Sequence, residues 1–218
     1  MPKLFVYRIV NDIGVAPHIS KNGILTLTLC KPGIRKSAKV GDYVLALVAL
    51  QHTKITGTNP DRFFKAAYLF KITEITNMLE YESWCQIHAP DKICTENAFE
   101  GNCQYDKEGK WRYGPHNESH KERNLGGKFA LISTHYIPWT SAKPYTLTPE
   151  TMEHIGLDEN QVKTATRNYF TVSLVSEVQI QALEELIASN KPKNIVKCTG
   201  KSCKIGGERK TLKQKRKN

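Results

Sequence analysis

Apolar and polar positions follow a strand-like period through the first 135 residues and a helical one later in the chain. Leu4 to Val10 is rich in β-formers, and Leu25, Leu27 and Leu29 alternate with Thr26, Thr28 and Cys30, predicting a strand with one buried face. Tyr43 to Leu50 is a continuous apolar run suited to a central strand, and Phe63 to Ile75 and Phe129 to Ser133 complete five candidates. Turns at Lys21-Asn22-Gly23 and Lys39-Val40-Gly41-Asp42 separate them. Short strands in this number predict an α+β fold on a small, partly closed β-barrel with a few packed helices.

The helices come late. Ser176 and Gln179 form a capping box, with Val175 and Ile180 placed as a staple. Val178, Ala182, Leu183, Leu186 and Ile187 then share one face, and the helix should stop before Lys191-Pro192. Thr148-Pro149-Glu150 reads as a cap, a first-turn proline and an acid, with Gly156 ending that helix, and Asp158 with Gln161 opens another. Residues 90–127 hold no sustained period but carry Phe99, Tyr105, Trp111 and Tyr113, so an ordered, wrapping loop is expected.

Charge divides the chain in two. Eleven Lys and Arg against Glu208 in residues 191–218 leave residues 1–190 at only +1 of the total +11. The expected organisation is one domain over 1–190 and a flexible lysine-rich tail over 191–218. Such a tail suits a polyanion, with salt-sensitive binding through Lys210, Lys213, Lys215, Arg216 and Lys217, though it also serves solubility. No run approaches the ~20 apolar residues of a membrane span, and the N-terminus has no signal-peptide pattern, so an intracellular protein of the cytoplasm, nucleus or nucleoid is expected.

Two blocks carry a family resemblance: Tyr7-Arg8-Ile9-Val10-Asn11-Asp12-Ile13-Gly14-Val15-Ala16-Pro17, and Leu27 to Asp42 with its Cys30-Lys31-Pro32-Gly33-Ile34-Arg35 core. Both resemble the nucleotide modification associated domain 2 family, which shows D-x-G-x-A-P, C-K-P-x-I-R and a G-D strand start. The likeness runs from about residue 4 to 140, and more weakly to 189. It implies a barrel related to the PUA, ASCH and EVE folds, with a pocket for a nucleobase and an association with modified nucleic acid. The chain has Gly101-Asn102-Cys103-Gln104-Tyr105 where the family shows G-D-N-x-Y, and Arg123-Asn124-Leu125 for R-D-L. Each replaces a carboxylate, which favours binding over catalysis.

Candidate chemistry follows. Asn11, Asp12 and Pro17 are candidates to touch a base from the loop after the first strand, where a structural turn is the competing reading. Lys31, Arg35 and Lys36 are read as a phosphate-binding loop. Tyr105, Trp111 and Trp139 are candidate stacking surfaces, and His116 and His120 line the same mouth. Cys94, Cys103, His116 and His120 miss zinc-finger spacing at the first interval, so neither a metal nor another cofactor is expected. Cys30 reads as a small buried hydrophobe. The expected function is a module that binds a nucleotide or base, modified or not, in a barrel pocket. An enzyme modifying nucleotides or DNA bases, with Asp12 or His116 as acid or base, is the alternative, and a protein-interaction adaptor the second.

Overall fold

A computed structural model describes residues 1–10, 12–49, 63–165 and 168–189. Among these residues ten strands form two sheets. The first holds β1 (Lys3–Ile9), β4 (Tyr43–Val48), β5 (Lys65–Lys71), β8 (His135–Pro138), β9 (Tyr145–Thr146) and β10 (Phe170–Ser173), in the order β10-β1-β4-β5-β8 with β9 also on β5. The second is β2 (His18–Ile19), β3 (Leu25–Leu27), β7 (Phe129–Ser133) and β6 (Glu74–Asn77), ordered β2-β3-β7-β6. β1 and β4 run parallel, and every other pair is antiparallel.

The α+β class is borne out, with the two sheets stacked and joined at one corner. Around residues 71–74 and 133–135 the chain passes from β5 into β6 and from β7 into β8, carrying one antiparallel ribbon from sheet to sheet. Among the described residues no pairing joins β10 to β2, so no closed barrel results. The run predicted over 63–75 is therefore two strands, bent where Thr73 N donates to the Ile132 carbonyl at 2.9 Å.

Three apolar layers follow. Phe5, Tyr7, Ile9, Val44, Ala46 and Val48 face Leu25, Leu27 and Leu131 between the sheets. The alternate residues Leu4, Val6, Tyr43, Leu45 and Leu47 pack on α4 (Pro149–His154), α5 (Glu159–Thr164) and α6 (Glu177–Ser189). Leu29, Met78, Ala130 and Tyr105 form a third layer with α2 (Tyr81–His88) and the long loop. Burial on both faces explains why β1 and β4 read as unbroken apolar runs. It also corrects the reading of Leu25 to Cys30. The strand stops at Leu27, and Thr26 and Thr28 are as buried as the leucines because the long loop covers their side.

That loop is ordered and wraps, as its aromatics predicted. It contains 3-10 turns at Pro90–Lys92 and Glu118–His120, the short α3 (Lys121–Leu125), and bridges Ile93–Cys103 and Tyr105–Trp111. Its root is a buried polar knot. Lys92 Nζ lies 3.0 Å from both the His18 carbonyl and His18 Nδ1 and 2.9 Å from Thr26 Oγ1, while Tyr81 and Asn102 complete the bonding around Thr26. The caps form as read: Thr148 and Asp158 accept from Thr151 N and Gln161 N, and Ser176 and Gln179 make reciprocal bonds. Val175 and Val178, however, are 68% and 66% exposed. Neither the staple nor that end of the apolar face is buried, and Ile180, Leu183, Leu186 and Ile187 carry the packing. No helix among the described residues is long and apolar enough to cross a membrane.

Candidate functional site

Where β1 and β4 end side by side, polar groups from five parts of the chain meet. Tyr7, near the end of β1, points between the sheets and is fully buried, and its hydroxyl has no hydrogen-bond partner among the described residues. Burial holds its pKa far above the ordinary phenol range, and the neighbouring Asp12 carboxyl and Cys30 thiol add to the effect. Asp12 sits on the loop after β1, with one carboxylate oxygen accepting from Tyr68 Oη at 3.1 Å and the other from Ser141 N at 2.9 Å. Lys31 Nζ lies 4.3 Å above the centre of the Tyr7 ring and donates to the Arg8 carbonyl at 3.2 Å.

Lys31 is aimed by its backbone. Cys30 and Lys31 both take left-handed conformations, φ 58° and 44°, immediately before α1 (Pro32–Ser37). Side chains with a Cβ rarely accept that region, and each such residue costs on the order of 1 kcal/mol or more. The turn swings Lys31 back over Tyr7 and presents Cys30 to the long loop. There Cys30 Sγ stands 3.8 Å from His116 Nε2, and His116 Nδ1 is 3.2 Å from Asn124 Nδ2. Asn124 is fully buried in α3; it also donates to Tyr105 Oη at 3.0 Å and accepts from Cys30 N at 3.1 Å. Trp111 Nε1 donates to the His116 carbonyl at 3.0 Å, fastening the segment that carries this histidine.

Cysteine, histidine and an amide in series resemble a nucleophile, its base and an orienting group. The electrostatics run the other way. Burial raises the Cys30 thiol despite the nearby positive charges of Arg123, Lys31 and Arg35. Burial lowers His116, as does neighbouring His120. At neutral pH the pair is thus thiol and neutral imidazole, suited to hydrogen bonding more than to attack.

The sequence model for nucleotide modification associated domain 2 matches residues 1–202, most of the chain. The chain belongs to this family. The match takes in the two blocks quoted above and extends past the stretch over which the likeness was read. No curated protein and no solved structure matches the chain. The family's name associates it with nucleotide modification.

Several predicted residues of this family member are brought together around Tyr7 and Cys30. Asp12 and Lys31 lie on one side, and Tyr105, Trp111, His116 and His120 on the other, with the two histidine rings 5.0 Å apart. Tyr105 is corrected from a stacking surface to a support, since it is 2% exposed and bonded to Asn124, while Trp111 is half-buried with its indole nitrogen held by the His116 carbonyl. Pro17 is buried at the entry to β2. Trp139 stacks on Tyr145 at 4.7 Å and packs against the helical layer, while Lys36 is exposed on α1. Asn11, Lys210, Lys213, Lys215, Arg216 and Lys217 lie outside the described residues.

Arg35 is the clearest correction. The expected phosphate loop is α1, and Arg35 points inward with 0% exposure. Its guanidinium donates to the carbonyls of Cys30 at 2.9 Å, Phe129 at 3.0 Å and Asn124. Gly127 permits this approach, since a Cβ there would stand 2.3 Å from the guanidinium carbon. Arg35 shapes the site from behind. Sequence reasoning missed Tyr7, Tyr68, Cys30 and Asn124 as site residues. The quoted family blocks contained Tyr7, Cys30 and Asn124 without marking their roles, and Tyr68 lay outside them.

Among the described residues no group of three or more His, Cys, Asp or Glu is arranged to hold a metal ion. Two cavities lie away from the mouth. One of about 200 Å³ sits beside Tyr169 and the end of α5, and one of about 390 Å³ lies between Leu79, Gly109 and Leu125.

Proposed function

We propose that the mouth between the two sheets binds a nucleobase or nucleotide, modified bases included, and that the tail of residues 191–218 holds phosphates of the same or a longer nucleic acid. The observation that carries this reading is the Tyr7 hydroxyl. A buried hydroxyl with no partner costs ~1–3 kcal/mol, so a fold that keeps one beside a carboxylate and a lysine has a polar partner for it. A base edge supplies such a partner, and membership of a nucleotide modification family supports the choice.

The test is Tyr7→Phe, followed by nucleotide titration and by mass spectrometry of what copurifies with each protein. Removing an unpaired hydroxyl leaves stability unchanged or raises it by ~1 kcal/mol, while affinity falls about tenfold. Equal affinity in the two proteins would sink the reading. Deleting residues 191–218 should flatten the salt dependence of binding to a polynucleotide and leave mononucleotide binding in place.

A second reading, a nucleotide- or base-modifying enzyme, draws on the contact between Cys30 and His116. It uses His116 or Asp12 as general acid or base. Nucleosides incubated with the protein would then show a mass change that His116→Ala or Asp12→Asn abolishes.

A further inference from the structure

The amide of Asn124 can point only one way. The backbone N–H of Cys30 is solely a donor, so the Asn124 atom that meets it at 3.1 Å is the carbonyl oxygen. The Asn124 NH₂ group therefore faces both Tyr105 Oη at 3.0 Å and His116 Nδ1 at 3.2 Å. An NH₂ group has nothing to accept with, so His116 Nδ1 must be the acceptor and its proton sits on Nε2. An imidazolium, with a proton on each nitrogen, would set N–H against N–H. An aspartate at 124 would reverse the arrangement: it would accept from Nδ1–H and leave Nε2 as a bare lone pair facing Cys30.

The geometry points to Asn124 as the residue that fixes His116 as a hydrogen-bond donor, making the mouth select bases that carry an oxygen rather than an amino group at purine C6 or pyrimidine C4. This rests on the reading of the mouth as a base site. At 3.8 Å the Cys30 sulfur is a weak partner for Nε2–H, which leaves that donor for a better acceptor. Tyr7 adds an O–H without a partner, and Lys31 adds a cation. On the opposite side each oxygen of Asp12 already accepts one bond. The side formed by His116 and Tyr7 thus offers donors, which suits the oxygen at C6 of guanine and hypoxanthine or at C4 of uracil and thymine. Adenine and cytosine carry an amino group at those same positions, which would set donor against donor.

Two measurements test this on the full chain. Nitrogen-15 NMR of His116 should show Nε2 as the protonated, pyrrole-like nitrogen and Nδ1 as the pyridine-like one, without any ligand. In Asn124→Asp the two should exchange character. A titration series should favour guanosine, inosine and uridine monophosphates over adenosine and cytidine monophosphates by about tenfold or more. His116→Leu should abolish that preference, and His116→Gln, which keeps an N–H, should restore part of it. A wild-type proton on Nδ1 overturns the assignment whether or not Asn124→Asp folds. Equal or reversed affinities overturn the preference even if the tautomer stands. Failure of every nucleotide to bind overturns the base-site reading and the preference with it, but leaves the tautomer to be decided by NMR.

Discussion

Arg35→Ala separates two meanings of a basic residue. As a phosphate ligand, Arg35 would add nothing to stability, and its loss would weaken binding alone. In the structure it donates to three backbone carbonyls from a position with no exposure, joining the Cys30 turn, α3 and the start of β7. Bonds to a charged donor contribute ~1.5–3 kcal/mol each, set against several kcal/mol to desolvate the guanidinium. Truncation also leaves three carbonyls unpaired and opens a void. The expected loss is ~3–5 kcal/mol, a large part of the ~5–15 kcal/mol typical of a domain. At ~2 kcal/mol per molar urea this lowers the unfolding midpoint by about 2 M. Arg35→Lys keeps the charge but offers one nitrogen for three scattered acceptors, and should recover less than half. A midpoint for Arg35→Ala within ~0.3 M of the wild type, with polyanion binding lost, would refute this account and return Arg35 to the surface.

Three further perturbations probe the frame around the site. Burial depresses Lys92 from 10.5 to about 7, so the folded state binds fewer protons than the unfolded chain between those values. Stability should therefore rise with pH from 7 to 10.5 by up to ~1.4 kcal/mol per unit, and Lys92→Met should flatten that slope in urea midpoints. Gly101→Ala places a Cβ 2.1 Å from the Lys92 carbonyl oxygen, a backbone atom that cannot swing away. It should cost more than ~2 kcal/mol and lower the melting temperature by about 5 °C or more. Glu184 of α6 accepts from Tyr43, from Lys71 at 2.8 Å and from His135 at 2.5 Å. Burial alone would raise its carboxyl, but these donors outweigh it and bring it to about 2. The latch is intact above pH 4.5 and is lost as pH falls toward 2. Discounted for its partial exposure, Glu184→Gln should cost ~1 kcal/mol at pH 6 and almost nothing at pH 2.5.

What could be read in advance was what neighbours in sequence decide. Phe129–Ser133 forms a strand over the predicted span, and Thr148, Asp158 and Ser176 cap helices because each bond closes within three residues. Barrel closure is not legible in the same way, because it depends on whether β10 meets β2, residues about 150 positions apart. Arg35 was misread for a similar reason. Its lysine neighbours suggest a surface, but the carbonyls that claim it come from residues 124 and 129 and from a gap left by Gly127. Tyr7 looks like any core aromatic until its hydroxyl is found unpaired beside Asp12. Asn124 reads as a lost carboxylate, yet its amide accepts at one end and donates at the other, and an aspartate, which only accepts, would reverse the His116 end.

Arg8 leaves one more mark on the fold. From β1 its guanidinium reaches the Val48 carbonyl at 2.8 Å and the Phe63 carbonyl at 3.0 Å, and with the same group it holds Val162 and Ala165 at the end of α5. One side chain thus ties together the exit of β4 and the entry to β5, whatever lies between. Losing Arg8 would therefore loosen both strand ends and the end of α5 at once, because one truncation strips the partner from four carbonyls.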